Sequence, residues 1–169
     1  GRRISRRVDG DETRYVLDLS GKMERILCDT TVNGQVTAYY IHAPDLCYRV
    51  DAASEVVAYH TDAQANVIAT TDGSAQVQSK YAYTPYGRRL GSTNTLAASA
   101  NPFTFVGSQG AMEELPNLYF MRARYYSADA GLFLSTDPVK RIGPTWLPIA
   151  YAYAGGNPLR FTDPRGEWF

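Results

Sequence analysis

Arg25-Ile26-Leu27-Cys28-Asp29-Thr30-Thr31-Val32-Asn33-Gly34-Gln35-Val36-Thr37-Ala38-Tyr39-Tyr40-Ile41-His42 sets two β-prone runs on either side of an Asn-Gly step. Asn33 and Gly34 tolerate the positive φ that a two-residue type I′ loop requires. The stretch therefore predicts a hairpin in which residues 25–32 pair antiparallel with residues 36–42. Asp9-Gly10 and Asp72-Gly73 are turn steps of the same chemistry, and residues 67–70 and 77–83 are strand candidates around the second. Between residues 15 and 82 no stretch sustains a helical period.

The spacing of these runs carries a weak internal repeat. Tyr15-Val16-Leu17-Asp18-Leu19-Ser20-Gly21 aligns with Tyr48-Arg49-Val50-Asp51-Ala52-Ala53-Ser54 and with Tyr59-His60-Thr61-Asp62-Ala63-Gln64-Ala65. A degenerate fourth copy keeps Asp72 without the tyrosine. In each copy an aromatic ends a strand, and the aspartate begins a turn by accepting backbone N–H groups ahead of it. A small residue follows, and an apolar one restarts the next strand. One hairpin is marginal in water, so such units must stack on neighbours.

Composition narrows the function classes. The 17 basic residues are balanced by 17 acidic ones, which argues against a nucleic-acid binder. No run approaches the roughly 18 apolar residues of a membrane span. Thirteen tyrosines among 169 residues, with 14 glycines, point to β structure and exclude a disordered tail. Cys28 and Cys47 make neither a disulfide framework nor, with His42 and His60, a metal-ligand spacing; they read as two small buried hydrophobes. No cofactor motif is present. Gly1-Arg2-Arg3-Ile4-Ser5-Arg6-Arg7 is basic without an apolar stretch behind it, so it does not read as a signal peptide. Asp9, Asp11 and Glu12 neutralise this run, which reads as a solvated edge. Lacking an initiator Met, the chain reads as a piece of a longer protein.

After Tyr83 the texture changes. Tyr83-Thr84-Pro85-Tyr86-Gly87-Arg88 is a turn, and residues 91–101 read as a polar loop. Residues 103–106 and 117–126 are further strand candidates. Leu118-Tyr119-Phe120-Met121 reads as buried on both faces, with Arg122 and Arg124 alternating outward on one face. Prolines then dominate, and residues 149–154 are the one plausible short helix, ended by Gly155-Gly156.

At this point an ordered set of motifs resembles the C-terminal part of Rhs (rearrangement-hotspot, YD-repeat) proteins, including the C component of insecticidal Tc toxins and, more distantly, teneurins. Tyr59-His60-Thr61-Asp62 with Thr71-Asp72 resembles the repeat itself. Tyr83-Thr84-Pro85-Tyr86-Gly87 resembles the step into the repeat-associated core. Asn101-Pro102-Phe103-Thr104-Phe105-Val106-Gly107, the run from Leu118 through Tyr119, Arg122, Arg124, Tyr125 and Tyr126, and Gly131-Leu132-Phe133-Leu134-Ser135-Thr136-Asp137-Pro138 follow in the core's order. Gly156-Asn157-Pro158 and Thr162-Asp163-Pro164-Arg165-Gly166 finish it.

The resemblance implies a mainly β fold: a YD-repeat hairpin ribbon over residues 1–83 and a loop-rich core region over residues 84–169. It implies one curved wall and end cap of a shell that encloses a C-terminal toxin or passenger. The implied partners are the protein's own N-terminal repeats, that passenger and a secretion-apparatus protein, with no nucleic acid and no membrane span. It also implies export or a cell-surface location, as for secreted polymorphic toxins of interbacterial competition. Two other readings stay open: a non-catalytic, teneurin-like module binding carbohydrate or protein, and a degenerate Rhs fragment.

Asp137 and Asp163 are the chemistry candidates. Read alone, both Asp-Pro steps are turn starters. By resemblance they form an aspartyl-type pair that cuts the chain just after the last step, in the region of Gly166, Glu167, Trp168 and Phe169. Two carboxylates held close together cannot both ionise, so one keeps a proton and the other activates water. A tethered substrate needs no pocket. Arg122 and Arg124 either pair with these aspartates or form a surface face. Three positions depart from the pattern: the long link after Pro138, Ala152 between two tyrosines, and Glu167 in place of leucine.

Overall fold

The computed structural model describes residues 2–94, 101–139 and 150–167. Nine strands form one antiparallel meander in which each bonds to the next in sequence. They are β1 (Ser5–Val8), β2 (Asp11–Asp18), β3 (Arg25–Thr30), β4 (Val36–His42), β5 (Leu46–Asp51), β6 (Val56–Thr61), β7 (Val67–Asp72), β8 (Val77–Tyr83) and β9 (Arg89–Asn94). A second meander holds β10 (Met112–Leu115), β11 (Leu118–Met121), β12 (Arg124–Ser127) and β13 (Leu132–Phe133). The fold is mainly antiparallel β, as the hairpin spacing predicts. Helical structure among the described residues is limited to 3₁₀ turns at Gly107–Gln109 and Ala154–Gly156. No helix among them is long and apolar enough to cross a membrane.

Five hairpin connections share one turn, and its chemistry is written in the repeat. Gly34, Ser54, Ala65, Ala75 and Gly87 each donate their N–H to the carbonyl three residues back, on Thr31, Asp51, Asp62, Asp72 and Thr84. All five take left-handed φ values between 62° and 81°. The opening side chain then satisfies the backbone ahead of it. Asp51 Oδ1 accepts from the N–H groups of Ala53 (2.9 Å) and Glu55 (3.0 Å), and Asp62 Oδ1 from Gln64 and Asn66 (both 2.9 Å). Asp72 Oδ1 does the same for Ser74 and Gln76 (both 2.9 Å). Thr31 and Thr84 offer Oγ1 to Gln35 and Arg88.

This corrects the two-residue loop expected at Asn33-Gly34. Only Gly34 takes positive φ, and the Thr31–Gln35 bonds make it a type I turn followed by a left-handed bulge residue. The type I′ geometry occurs instead at Asp9-Gly10, where both residues have positive φ between the paired Val8 and Asp11.

Two packed clusters hold the sheets. On the inner face of the first sheet, Ala38, Tyr40, Val57, Tyr59 and Tyr81 pack with Phe103 and Met112. Phe103 meets the rings of Tyr40 and Tyr59 edge-on, at 5.3 and 6.4 Å. The second cluster joins Phe105, Tyr119, Met121, Tyr126, Phe133 and Tyr153. Burying aromatic groups of this size supplies most of the drive for folding. The repeat tyrosines do not share one face: Tyr59 is buried, Tyr15 half-buried, and Tyr48 is 45% exposed beside the more exposed Tyr39 on the outer face.

Four expectations are revised. Residues 103–106 are not a strand but an irregular segment laid onto the first sheet, with Val67 N–H donating to Thr104 O. The run 117–126 is a hairpin, turning at Arg122-Ala123 with Arg122 at φ 55°. Residues 91–94 belong to β9 rather than to a loop. The expected helix at 149–154 is absent over its described part, where Ala152 bridges Leu132 and the 3₁₀ turn begins only at Ala154.

Candidate functional site

Arg124 is the centre of the site. It opens β12, directly after the Arg122-Ala123 turn, and its side chain points inward, leaving the residue 2% exposed. This corrects the expectation of an outward-facing strand: the turn resets the alternation that a continuous strand would impose. The guanidinium lies over the Phe133 ring at 3.6 Å. Its Nη2 donates to Asp137 Oδ2 at 3.1 Å and to Asp163 Oδ2 at 3.3 Å. Nε donates to the Gly166 carbonyl at 2.6 Å, and Nη1 to the Ala150 carbonyl at 3.1 Å. One planar fork thus gathers both Asp-Pro steps and the end of the described chain.

The two carboxylates differ in environment. Asp163 is 3% exposed, whereas Asp137 keeps partial access to solvent. Burial pushes the Asp163 carboxyl above its ordinary range; the Glu167 amide and Arg124 pull it back, and Asp137 pushes it up again. Burial likewise lowers the Arg124 guanidinium, opposed by the two aspartates. Asp137 Oδ1 accepts the Val139 N–H at 2.8 Å, which fixes the carboxylate over its own Asp-Pro turn.

Asp163 starts the same turn as the repeat aspartates. Gly166 N–H returns to Asp163 O at 3.2 Å, Glu167 N–H donates to Asp163 Oδ1 at 3.1 Å, and Gly166 is left-handed at φ 61°. Here the residue must be glycine, since a Cβ would lie 2.4 Å from Met121 O. The Gly166–Glu167 peptide is therefore gripped at both ends, its carbonyl by Arg124 and its N–H by Asp163. Trp168 and Phe169, also named by the sequence reading, lie outside the described residues.

The remaining core-motif residues build the frame. Arg122 donates to the carbonyls of Pro164 (2.6 Å), Gln109 (2.8 Å) and Glu24 (2.9 Å), tying the last turn to both sheets. Tyr119 and Tyr126 donate their hydroxyls to Gly87 O and Tyr86 O, so they hold the Thr84–Gly87 turn rather than the aspartates. Tyr125 lies on the outer side and accepts from Arg3. Asn157 caps the second 3₁₀ turn, and Pro158 O accepts from Gln64 at 2.7 Å. The basic run is not merely a solvated edge: Arg3 and Arg6 both pair with Glu114, and Arg3 stacks on Phe120 at 3.8 Å. Phe133, which the sequence offers only as part of the motif over residues 131–138, and the Ala150 carbonyl, which carries no sequence signal, complete the Arg124 site.

Fold and site together define an antiparallel hairpin ribbon whose buried Arg124 joins two aspartates. No protein-family model matches it. The chain is similar to the tRNA3(Ser)-specific nuclease WapA of Bacillus spizizenii, with 31% identity over 172 residues, covering 99% of this chain and 7% of WapA. It is also similar to toxin subunit YenC2 of Yersinia entomophaga, with 35% identity over 98 residues, covering 56% of this chain and 9% of YenC2. Among solved structures, the Photorhabdus luminescens Tc holotoxin pore matches with a TM-score of 0.67 and 18% identity, over 98% of this chain and 8% of that one. At that identity the likeness is one of fold. The chain spans under a tenth of each of these proteins.

Proposed function

We propose that this chain is a wall and end segment of an Rhs-type shell that encloses a C-terminal toxin or passenger, and that it cuts its own backbone within Gly166–Phe169. The observation that carries the reading is the convergence of Asp137 and Asp163 on one Arg124 nitrogen, with the Gly166 carbonyl on the same guanidinium. In this reading Asp163, raised by burial, is the proton-bearing member, and the more accessible Asp137 takes a proton from the attacking water. Water adds to the carbonyl carbon of the scissile bond, the C–N bond breaks, and Asp163 protonates the departing amine. Arg124 positions both carboxylates and fixes the register of the chain entering the site. The likeness to WapA, a tRNA nuclease, and to YenC2, a toxin subunit, supports the toxin-associated role, and export of the assembly and the implied partners belong to the same proposal.

The test is the intact mass of a chain carrying extra residues beyond Phe169. Cleavage gives two fragments whose masses name the bond, and Asp137→Asn or Asp163→Asn leaves the chain whole. An extended chain that stays intact at every pH from 4 to 8 sinks the catalytic part of the reading. A second reading, an adhesive module without catalysis, is favoured by the exposed Tyr39 and Tyr48 on the outer face. Saturable binding on a glycan array, lost in Tyr39→Ala and Tyr48→Ala, would support it.

A further inference from the structure

Beside the Asp163 turn lies an open cleft of about 550 Å³, bounded by Arg2, Lys22, Glu24, Arg122, Arg165 and Glu167, with Met23 and Ala123 between them. Four cations therefore face two carboxylates. One wall is the connection between β2 and β3; the other is the Arg122-Ala123 turn together with the last turn of the described chain. The walls are tied together, because Arg165 donates to Lys22 O, Arg122 donates to Glu24 O at 2.9 Å, and Ala123 N–H donates to Arg165 O at 3.1 Å. The acids leave cations over. Glu24 is shared between Arg2 at 3.6 Å and Arg122 at 4.0 Å, and Lys22 is exposed. Glu167, where the described chain leaves the Arg124 grip, forms part of the cleft lining.

We infer that this cleft seats the α-carboxylate that chain cutting frees, holding the new C-terminus against the shell wall. The inference rests on the self-cleavage reading for its purpose, though not for its geometry. A residue spans at most about 3.5 Å, so a carboxylate on any residue from Gly166 to Phe169 stays within about 13 Å of Gly166. The cleft, lined by Arg165 and Glu167 on either side of Gly166, supplies an excess of positive charge beside that segment, and at low ionic strength its attraction for a terminal carboxylate is largely unscreened. Seating the product end in this way opposes its return to the carboxylate pair and keeps the cut wall ordered at its last residue.

The experiment uses the chain ending at Phe169, whose terminus already carries such a carboxylate. Its trimming by carboxypeptidase at pH 7 is followed by mass spectrometry in 20 mM and 500 mM salt, against an unstructured peptide of residues 160–169. The expected result is release at least ten-fold slower from the protein than from the peptide at low salt, with most of the protection lost at high salt. Lys22→Glu, at an exposed position, should trim about ten-fold faster than the parent, and Lys22→Arg should restore protection. Arg165→Glu repeats the test from the other wall, with near-ultraviolet circular dichroism reporting the fold. Equal trimming of parent, Lys22→Glu and peptide in 20 mM salt overturns the inference. An uncut extended chain would instead remove the self-cleavage reading and leave this trimming result standing.

Discussion

Arg124 Nη2 lies 3.3 Å from Asp163 Oδ2, and both residues are almost wholly withdrawn from solvent. Their side chains come from segments 39 residues apart, so the pair joins β12 to the last turn of the described chain. Removing Arg124 leaves the Asp137 carboxylate without its counter-charge and the buried oxygens of Asp163 and Gly166 without their donor. Arg124→Ala should therefore destabilise the fold by about 3–5 kcal/mol, read from the urea midpoint. Arg124→Lys cannot reach both carboxylates and the Gly166 carbonyl with a planar fork, and should recover less than half of the loss. A midpoint unchanged in Arg124→Ala would show that the cluster does not hold the core together.

The two classes of aspartate should respond to pH with opposite signs. Asp163 has a folded-state carboxyl raised by burial, so its favourable contribution is fully present below the unfolded value of about 3.9 and is lost as pH rises through the folded value. Asp72 is lowered by the N–H of Gln76 and the other donors of its turn, so its contribution is present above about 3.9 and is lost as pH falls through the folded value. Urea midpoints of Asp163→Asn and Asp72→Asn, each compared with the parent between pH 3 and 7, should therefore diverge. The deficit of Asp163→Asn should be smallest at neutral pH and that of Asp72→Asn smallest at acid pH. Parallel curves would contradict the assignment.

The ribbon was legible because its signals are local. Hairpin spacing and the aspartates that accept N–H groups ahead of them specify β3, β4, β7 and β8 closely, whereas β5 and β6 run past the tyrosines expected to end them, to Asp51 and Thr61. The left-handed positions at Ser54, Ala65 and Ala75 were not legible, since these residues carry no glycine signature and are held there by the aspartate three residues earlier. For Arg124 pairing with the aspartates was one of two open readings, and which of them holds was hidden for a related reason. The turn before it, Arg122-Ala123, contains no Gly, Pro, Asn or Asp, so the apolar run appeared continuous and the arginine appeared to face outward. The approach of Asp137 to Asp163 depends on that inward arginine, a long-range fact that no local pattern encodes.

Gly87 tests how tightly the Thr84–Gly87 turn is docked. It has φ 81°, and a Cβ there would fall 2.5 Å from the Phe105 ring, in the centre of the second cluster. Gly87→Ala combines left-handed strain with overpacking, each worth about 1–3 kcal/mol. Thermal denaturation should show a loss of that order or larger. Gly34→Ala, at an equally left-handed site with nothing within 4 Å, should show only the smaller backbone cost. Equal losses at the two sites would mean that Phe105 yields without cost.

Asp62 offers the sharpest test of the repeat turn, because it does more than its counterparts. Its Oδ1 accepts the N–H groups of Gln64 and Asn66, and its Oδ2 accepts Asn66 Nδ2 at 2.8 Å. Asn66 in turn presents Oδ1 to the buried Val106 N–H at 2.9 Å, so the turn orders the segment that carries Phe103 and Phe105. Asp51 makes the two backbone bonds but has no such link to the second cluster. Asp51→Ala should cost about 1–2 kcal/mol, as for loss of a helix cap. Asp62→Ala should cost more, because Asn66 loses its orientation and a buried N–H is left unpaired, adding about 1–3 kcal/mol. Amide hydrogen exchange decides between local and propagated effects: Val106 should lose protection in Asp62→Ala and keep it in Asp51→Ala. Unchanged protection of Val106 in both would show that the turn and the core segment are independently held.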